Sequence, residues 1–317
     1  MHCWLKPTAP CAVFTKPLNL KAQQVMRMNS HTLTVTFLGT GSADLYPAPF
    51  CNCENCDAAR TYGGSDLRSF SCALICDDLL IDCPPDVISS AMRCGISLMN
   101  LKALLITHSH PDHLSPTLLL SRRANIWAMH RPHKPTTQIP QLSELAIYAN
   151  ECSLMLVRQW LAEQQKYDLK VRLIKLKPFE PYQIDEATTV HAMPAAHCIG
   201  VEDALIFALF RFGRCLLYAV DTGFPNEETL SYMRQFQFDA AVVDATYGVS
   251  APTREHMNIQ VALALRQRML SEGMLKEGAP FVLTHISPHW TPPHHAIANE
   301  LERKGVLLAH DGMRITL

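Results

Sequence analysis

Between His31 and Leu38 apolar and polar side chains alternate, with Leu33, Val35 and Phe37 on one face and Thr32, Thr34 and Thr36 on the other. A period of two predicts a strand with one buried face. The run ends in Gly39-Thr40-Gly41-Ser42, which reads as a tight turn, and a polar loop rich in cysteine follows to Ser69. Ser71 to Ile75 and Leu79 to Ile81 predict two short strands around Cys76-Asp77-Asp78. Asp82-Cys83-Pro84-Pro85-Asp86 then opens a helix, with proline near its first turn. Ala103 to Thr107 is a short apolar strand that delivers the chain into His108.

Helical spacing appears at Leu118 to Arg123 and again at Ser143 to Gln165, after a loop at 130–140 rich in Pro, Thr and His. The second stretch predicts an inserted helix. Val171 to Leu176, Thr188 to Met193, Ala204 to Phe210, Cys215 to Val220, Ala240 to Val243 and Pro280 to Thr284 read as strands. Glu227 to Gln235, the stretch 256–271 and Pro292 to Lys304 read as helices; Val261, Leu265 and Met269 share one face of the second. Val306 to Ala309 and Met313 to Leu317 predict a closing antiparallel pair. This order suits an α/β fold of two mixed sheets packed face to face with helices outside. No fixed repeat and no long linker divide residues 31–317, which are expected to form one domain. Residues 1–30 read as a disordered tail or as sequence upstream of the true start, with Met26 and Met28 just before the first strand.

Composition narrows the setting. The chain has 317 residues, 48% of them hydrophobic, enough for a large core, and a formal charge of −1. It shows no basic stripe of the kind that marks a nucleic-acid binder, and no apolar run of the roughly 20 residues that cross a bilayer. The 12 cysteines sit in a chain too long for a secreted disulfide scaffold and without signal-peptide anatomy. A reducing, cytoplasmic location is expected. Cys72, Cys76, Cys198 and Cys215 fall in or beside predicted strands and read as small buried hydrophobes.

The chemistry concentrates in His108-Ser109-His110-Pro111-Asp112-His113. Imidazole and carboxylate suit zinc, manganese or iron, and four such groups this close after a strand cannot all be core. His108 and His110 can point the same way from an extended segment; Asp112 and His113, after a turn, can reach a second ion. Such a pair of ions activates water at neutral pH. The remaining ligands are expected at other strand ends, where His197, Asp221 and His285 stand. Separately, Cys51-Asn52-Cys53-Glu54-Asn55-Cys56 has the thiolate density of a structural zinc site, which needs a fourth ligand from elsewhere.

On these residues the sequence resembles the metallo-β-lactamase superfamily, whose HxHxDH run is matched by His108, His110, Asp112 and His113. The resemblance implies a four-layer αββα fold, one metal on His108, His110 and His197, a second on Asp112, His113 and His285, and Asp221 as the bridge. A histidine at the second motif position, rather than glutamate, separates the chain from the oxygen-reducing branch. GTGS, CxCxxC, HxHxDH, Leu-Thr-His-Ile-Ser and Asp311-Gly312-Met313 together resemble the phosphoribosyl cyclic phosphate phosphodiesterases of the carbon–phosphorus lyase pathway, over about residues 33–317. That resemblance implies a structural zinc on Cys51, Cys53, Cys56 and a later histidine. Pro288 stands in the matching slot, so the role passes to His289, with His294 and His295 next in order. It also implies a catalytic histidine, His256, at the start of a helix, and points to a homodimer. Where the family carries glycine after the motif, this chain has Leu114-Ser115-Pro116, which changes the pocket edge.

The expected activity is hydrolysis of a small phosphodiester, cyclic or linear, by two divalent ions (manganese or zinc) with His256 assisting the leaving oxygen. An RNA-end-processing nuclease, a thioester or lactone hydrolase, and a non-enzymatic cofactor-biosynthesis carrier are the alternatives. The complete ligand set favours an enzyme over the carrier, and the near-neutral charge disfavours RNA.

Overall fold

The structure is a computed structural model that describes residues 32–129, 137–165 and 167–317. The expected tail at 1–30 and much of the expected loop at 130–140 lie outside these residues. The chain from Leu33 to Leu317 forms one compact unit. Two seven-stranded mixed sheets make its centre. The first holds β1 (Thr34–Gly39), β2 (Cys72–Ile75), β3 (Leu79–Ile81), β4 (Ala103–Leu105), β5 (Leu145–Ala149), β6 (Val171–Lys175) and, beyond β1, the last strand β14 (Arg314–Thr316). The second holds β7 (Pro181–Asp185), β8 (Thr188–Pro194), β9 (Leu205–Arg211), β10 (Arg214–Ala219), β11 (Ala240–Asp244), β12 (Phe281–Thr284) and β13 (Leu307–Leu308), in that order across the sheet.

Strand periodicity explains how four layers arise. Successive side chains point to opposite faces, and here both faces are covered. Leu216, Val242 and Val282 pack between the sheets against Val35, Phe37 and Ile81. Their neighbours Leu217, Val243 and Leu283 face outward. They meet Leu230 of α5 (Glu227–Met233), Leu265 of α6 (Ile259–Ser271) and Leu301 of α7 (His294–Arg303). On the other side Leu74, Leu104 and Ile147 meet Val87 of α2 (Val87–Arg93), Leu118 of α3 (Thr117–Met129) and Leu154 of α4 (Glu151–Glu163). Strands buried on both faces read as continuous apolar runs, and each such Leu, Val or Ile contributes about 1.5–3 kcal/mol. The α/β layered arrangement expected from the sequence is therefore what the chain builds. No described helix is long and apolar enough to cross a membrane.

Three local expectations are corrected. The stretch 143–165 is not one helix: its first part is β5, which pairs in parallel with β4 and β6. Five consecutive apolar residues carry no period that separates strand from helix. The helix starts only at Glu151, where the Asn150 side chain accepts the Ser153 amide at 2.8 Å, an N-cap. The closing segments do not pair with each other: β13 lies parallel to β12, while β14 lies antiparallel to β1. Between them the Asp311 carboxylate accepts the Ser69 amide at 2.7 Å and the Thr40 hydroxyl at 2.8 Å, fixing the crossing from one sheet to the other. Finally, Gly39 to Ser42 is not a tight turn but an extended pass bridged at Gly41 to both Phe70 and Ile286. A Cβ on Gly39 would stand 1.9 Å from the Phe70 carbonyl oxygen, so this crossing needs glycine. The half-exposed edge strand β7 was not anticipated: Tyr182 and Ile184 alternate with Gln183 and Asp185 and pack on the inter-sheet core, but the run is only five residues long and opens on proline.

Candidate metal centre

Topology gathers the candidate residues at one rim. Strands β3 and β4 run parallel, as do β10, β11 and β12, and β8 runs with them because it is antiparallel to β9, which is antiparallel to β10. Their carboxyl ends carry Asp82, the run from His108, Asp221, Asp244, His285 and, just past β8, His197. Asp82, Asp221 and His285 have φ of 64°, 55° and 62°. Non-glycine residues in this left-handed region cost on the order of 1–3 kcal/mol and concentrate at functional sites.

The expected ligands converge into two donor sets. Donor atoms of His108, His110, His197 and Cys198 lie within 4.8 Å of one another, as do those of Asp112, His113, Asp221 and His285. Within the first, His197 Nε2 is 3.3 Å from His110 Nδ1. Within the second, His113 Nε2 is 3.1 Å from Asp221 Oδ2, 3.4 Å from Asp112 Oδ2 and 3.3 Å from His285 Nε2. Asp221 Oδ2 is also 3.3 Å from His108 Nε2, so this carboxylate sits between the sets.

Buried donors with no hydrogen-bond partner test whether cations fit. His108 Nε2 and His197 Nδ1 are inaccessible to solvent and make no well-formed hydrogen bond, and the same holds for Asp221 Oδ1 and His256 Nδ1, which face each other at 3.0 Å. Leaving one such group unpaired costs about 1–3 kcal/mol, and a cluster of them, made of imidazoles and carboxylates, fits divalent metal ions. Without cations the groups hold each other in opposed states. Burial is the largest influence on Asp221 and on Asp112 and would raise both. The surrounding histidines outweigh it and hold Asp221 well below the carboxylate range and Asp112 below it. Burial would lower His113, but Asp82 and Asp112 raise it well above the usual imidazole value. Burial pushes His197 down to about 4 and lowers His110 and His285.

His256 joins a third, overlapping set with Asp221, Asp244 and His285. It lies not at the start of α6 but in the loop before Asn258, whose side chain caps that helix. Its Nδ1 is 3.0 Å from Asp221 Oδ1 and 3.6 Å from Asp244 Oδ2. Burial would lower its pKa, but these two carboxylates raise it to about 10. The loop is tied down from both sides. Asp244 Oδ1 accepts the Met257 amide at 3.0 Å. A Cβ on Gly223 would stand 2.1 Å from the Arg254 carbonyl oxygen, so the loop packs directly on the chain that follows Asp221.

Several partners of the site were missed. Asp82 accepts the Thr107 amide and hydroxyl at 2.8 and 2.9 Å and pairs with His113 Nδ1 at 2.8 Å; Thr107 Oγ1 in turn stands 3.0 Å from His108 Nδ1. Thr246 Oγ1 stands 2.7 Å from His285 Nδ1 and donates to Asp244 at 2.8 Å. Glu202 accepts the Ser109 hydroxyl at 2.7 Å and the Asn150 amide nitrogen at 2.8 Å, pinning the motif to the end of β5. Partners of this kind orient ligating rings. Their signal in the sequence was slight: a carboxylate or hydroxyl directly after an apolar strand, in Asp82 and in Asp244-Ala245-Thr246. Cys198, read as a small hydrophobe, is buried but belongs to the first donor set.

The thiols of Cys51, Cys53 and Cys56 form a separate trio within 4.8 Å, at the start of α1 (Glu54–Tyr62). Burial pushes Cys56 up to about 12, while hydrogen bonds from the Cys56 amide and the neighbouring thiols outweigh burial at Cys53 and lower it. His289 is not brought into the trio: its Nδ1 faces Asp44 at 3.3 Å. His294 faces Arg68 at 3.3 Å and His295 pairs with Asp66 at 2.6 Å. The loop that carries His289 does reach the trio's helix, since Asn55 donates to the Pro288 carbonyl at 2.8 Å.

The sequence matches the profile of the beta-lactamase superfamily domain over residues 78–286. No curated protein matches it significantly. Among solved structures, a diphosphatase of the PhnP family superposes with a TM-score of 0.68 at 22% identity, covering 90% of this chain and 97% of that one. Zinc-bound PqqB from Methylobacterium extorquens gives 0.64 at 16% identity, over 90% and 100% of the two chains. The short form of human tRNase Z gives 0.59 at 22% identity, over 89% and 98%. At these identities the likeness establishes a shared fold.

Proposed function

The chain belongs to the metallo-β-lactamase superfamily of hydrolases, and on that premise we propose that it is a metal-dependent phosphodiesterase acting on a small phosphodiester, cyclic or linear. The observation that carries the reading is the pair of donor sets meeting at Asp221, with His256 beside them. His108, His110 and His197 would hold one ion, and Asp112, His113 and His285 the other. Such ions, manganese or zinc, supply Lewis acidity and an activated water at neutral pH. The protein's own part is orientation and proton supply. Asp82 and Thr246 fix the His113 and His285 rings. His256 turns Nδ1 toward Asp221 and Asp244, which leaves Nε2 on the far edge of the ring to donate a proton to the leaving oxygen. The names of two neighbours, a diphosphatase and a tRNase, support phosphorus as the centre attacked. The thiol trio is assigned a structural zinc, whose fourth ligand the His289 loop can supply if that side chain turns from Asp44.

The test is hydrolysis of bis(p-nitrophenyl) phosphate by protein loaded with manganese or zinc, beside Asp112→Ala, with a p-nitrophenyl ester and a thioester in parallel. Cleavage of the diester that is lost in Asp112→Ala supports the reading. Cleavage of the ester or thioester alone moves the substrate class. Inertness of the loaded protein toward all three overturns the enzymatic assignment of the site.

A further inference from the structure

His110 is the one solvent-exposed ring of the first donor set, so packing alone does not fix its orientation. Its two nitrogens face opposite ways. Nδ1 is 3.3 Å from His197 Nε2, inside the set, whereas Nε2 is 3.5 Å from Cys198 Sγ. One ring cannot present the same edge to both, so the sulfur meets His110 on its Nε2 edge while standing within 4.8 Å of the other donor atoms of the set. We propose that Cys198 is a positioning residue for the first metal: its sulfur accepts the Nε2–H of His110, which leaves the Nδ1 lone pair directed at the His108–His197 centre. This rests on the metal-dependent reading above.

The rest of the site supports the assignment. His108, His113 and His285 each have a polar partner on their other ring nitrogen, in Thr107, Asp82 and Thr246. Cys198 gives His110 the same support, with sulfur in place of oxygen. The aim of the thiol is set by its backbone. Cys198 has φ of 51°, its amide donates to Glu255 Oε2 at 3.3 Å, and its carbonyl accepts the Val201 and Glu202 amides at 2.9 and 3.2 Å. Glu202 is itself held by Ser109, the residue between His108 and His110. The loop that carries the sulfur and the run that carries the ring are therefore one hydrogen-bonded unit. Replacement of such an outer partner lowers metal affinity about 10–100-fold.

The experiment measures zinc affinity of the full chain by chelator competition, and cobalt spectra, for the native protein, Cys198→Ala and Cys198→Ser. The expected result is a loss of about 10–100-fold for one of the bound ions in Cys198→Ala, recovered in large part by Cys198→Ser, which keeps an acceptor. The sulfur-to-cobalt band should be unchanged in both variants, coming only from the thiol trio, whose continued presence also reports that they are folded. Native affinity in Cys198→Ala overturns the proposal. So does a band that weakens in that variant, because the sulfur would then be a direct ligand. Failure of the native chain to bind zinc or cobalt outside the thiol trio overturns the metal-dependent reading itself, and the proposal with it.

Discussion

At the scale of single residues, the site is defined by groups whose states are set by neighbours rather than by their own chemistry. His256 is the clearest case, because two carboxylates raise its pKa to about 10 in the cation-free protein. His256→Ala is expected to lower kcat on bis(p-nitrophenyl) phosphate about 10²–10⁴-fold while metal content, measured by atomic emission, stays at the native level. Loss of the metals together with activity would instead make it a ligand. The same variant has a pH signature without metal. A histidine whose folded pKa lies above its unfolded value of about 6.5 stabilises the fold fully below that value. The contribution fades as pH rises toward about 10. Thermal melts of the chelated native protein should therefore lose, between those limits, a component that melts of chelated His256→Ala lack.

At the scale of elements, close approach decides which loops reach the rim. Gly223 follows the Asp221-Thr222 pair and lies under Arg254 with no room for a side chain. Gly223→Ala is expected to displace the loop that holds Glu255 and His256, lowering kcat while circular dichroism and metal content remain native; unchanged kcat would show that the loop adjusts without moving His256. The strand β5 gives a second test. Ile147 is 1% exposed and pairs with Leu104 and Leu173 inside the sheet. Ile147→Ala is expected to cost about 2–5 kcal/mol in denaturant unfolding, whereas on the surface of an inserted helix the same change would cost little.

At the scale of the whole molecule, the proposed metal binding would be linked to folding, because the buried donor groups are assembled only in the folded chain. Chelation should lower Tm, and zinc or manganese at a hundred times its Kd should restore about 2.7 kcal/mol per site; a Tm indifferent to chelator would mean the donors are satisfied without cations. The sequence by itself determined the layered α/β class, through strands of period two and apolar runs, and it marked the HxHxDH run as a candidate ligand set, because four donor groups in one short run advertise themselves locally. It also marked His197, Asp221 and His285, each polar at the end of an apolar strand. Only the tertiary structure decided the rest. Leu145–Ala149 carries no period to tell strand from helix, and its place between β4 and β6 settles it. Leu307–Leu308 and Arg314–Thr316 are adjacent in the chain yet serve different sheets, because Asp311 anchors the crossing to Ser69 and Thr40. Asp82, Thr246 and Cys198 act through rings that lie up to 88 residues away, and no local pattern records a hydrogen bond that exists only after the strand ends are brought to one rim.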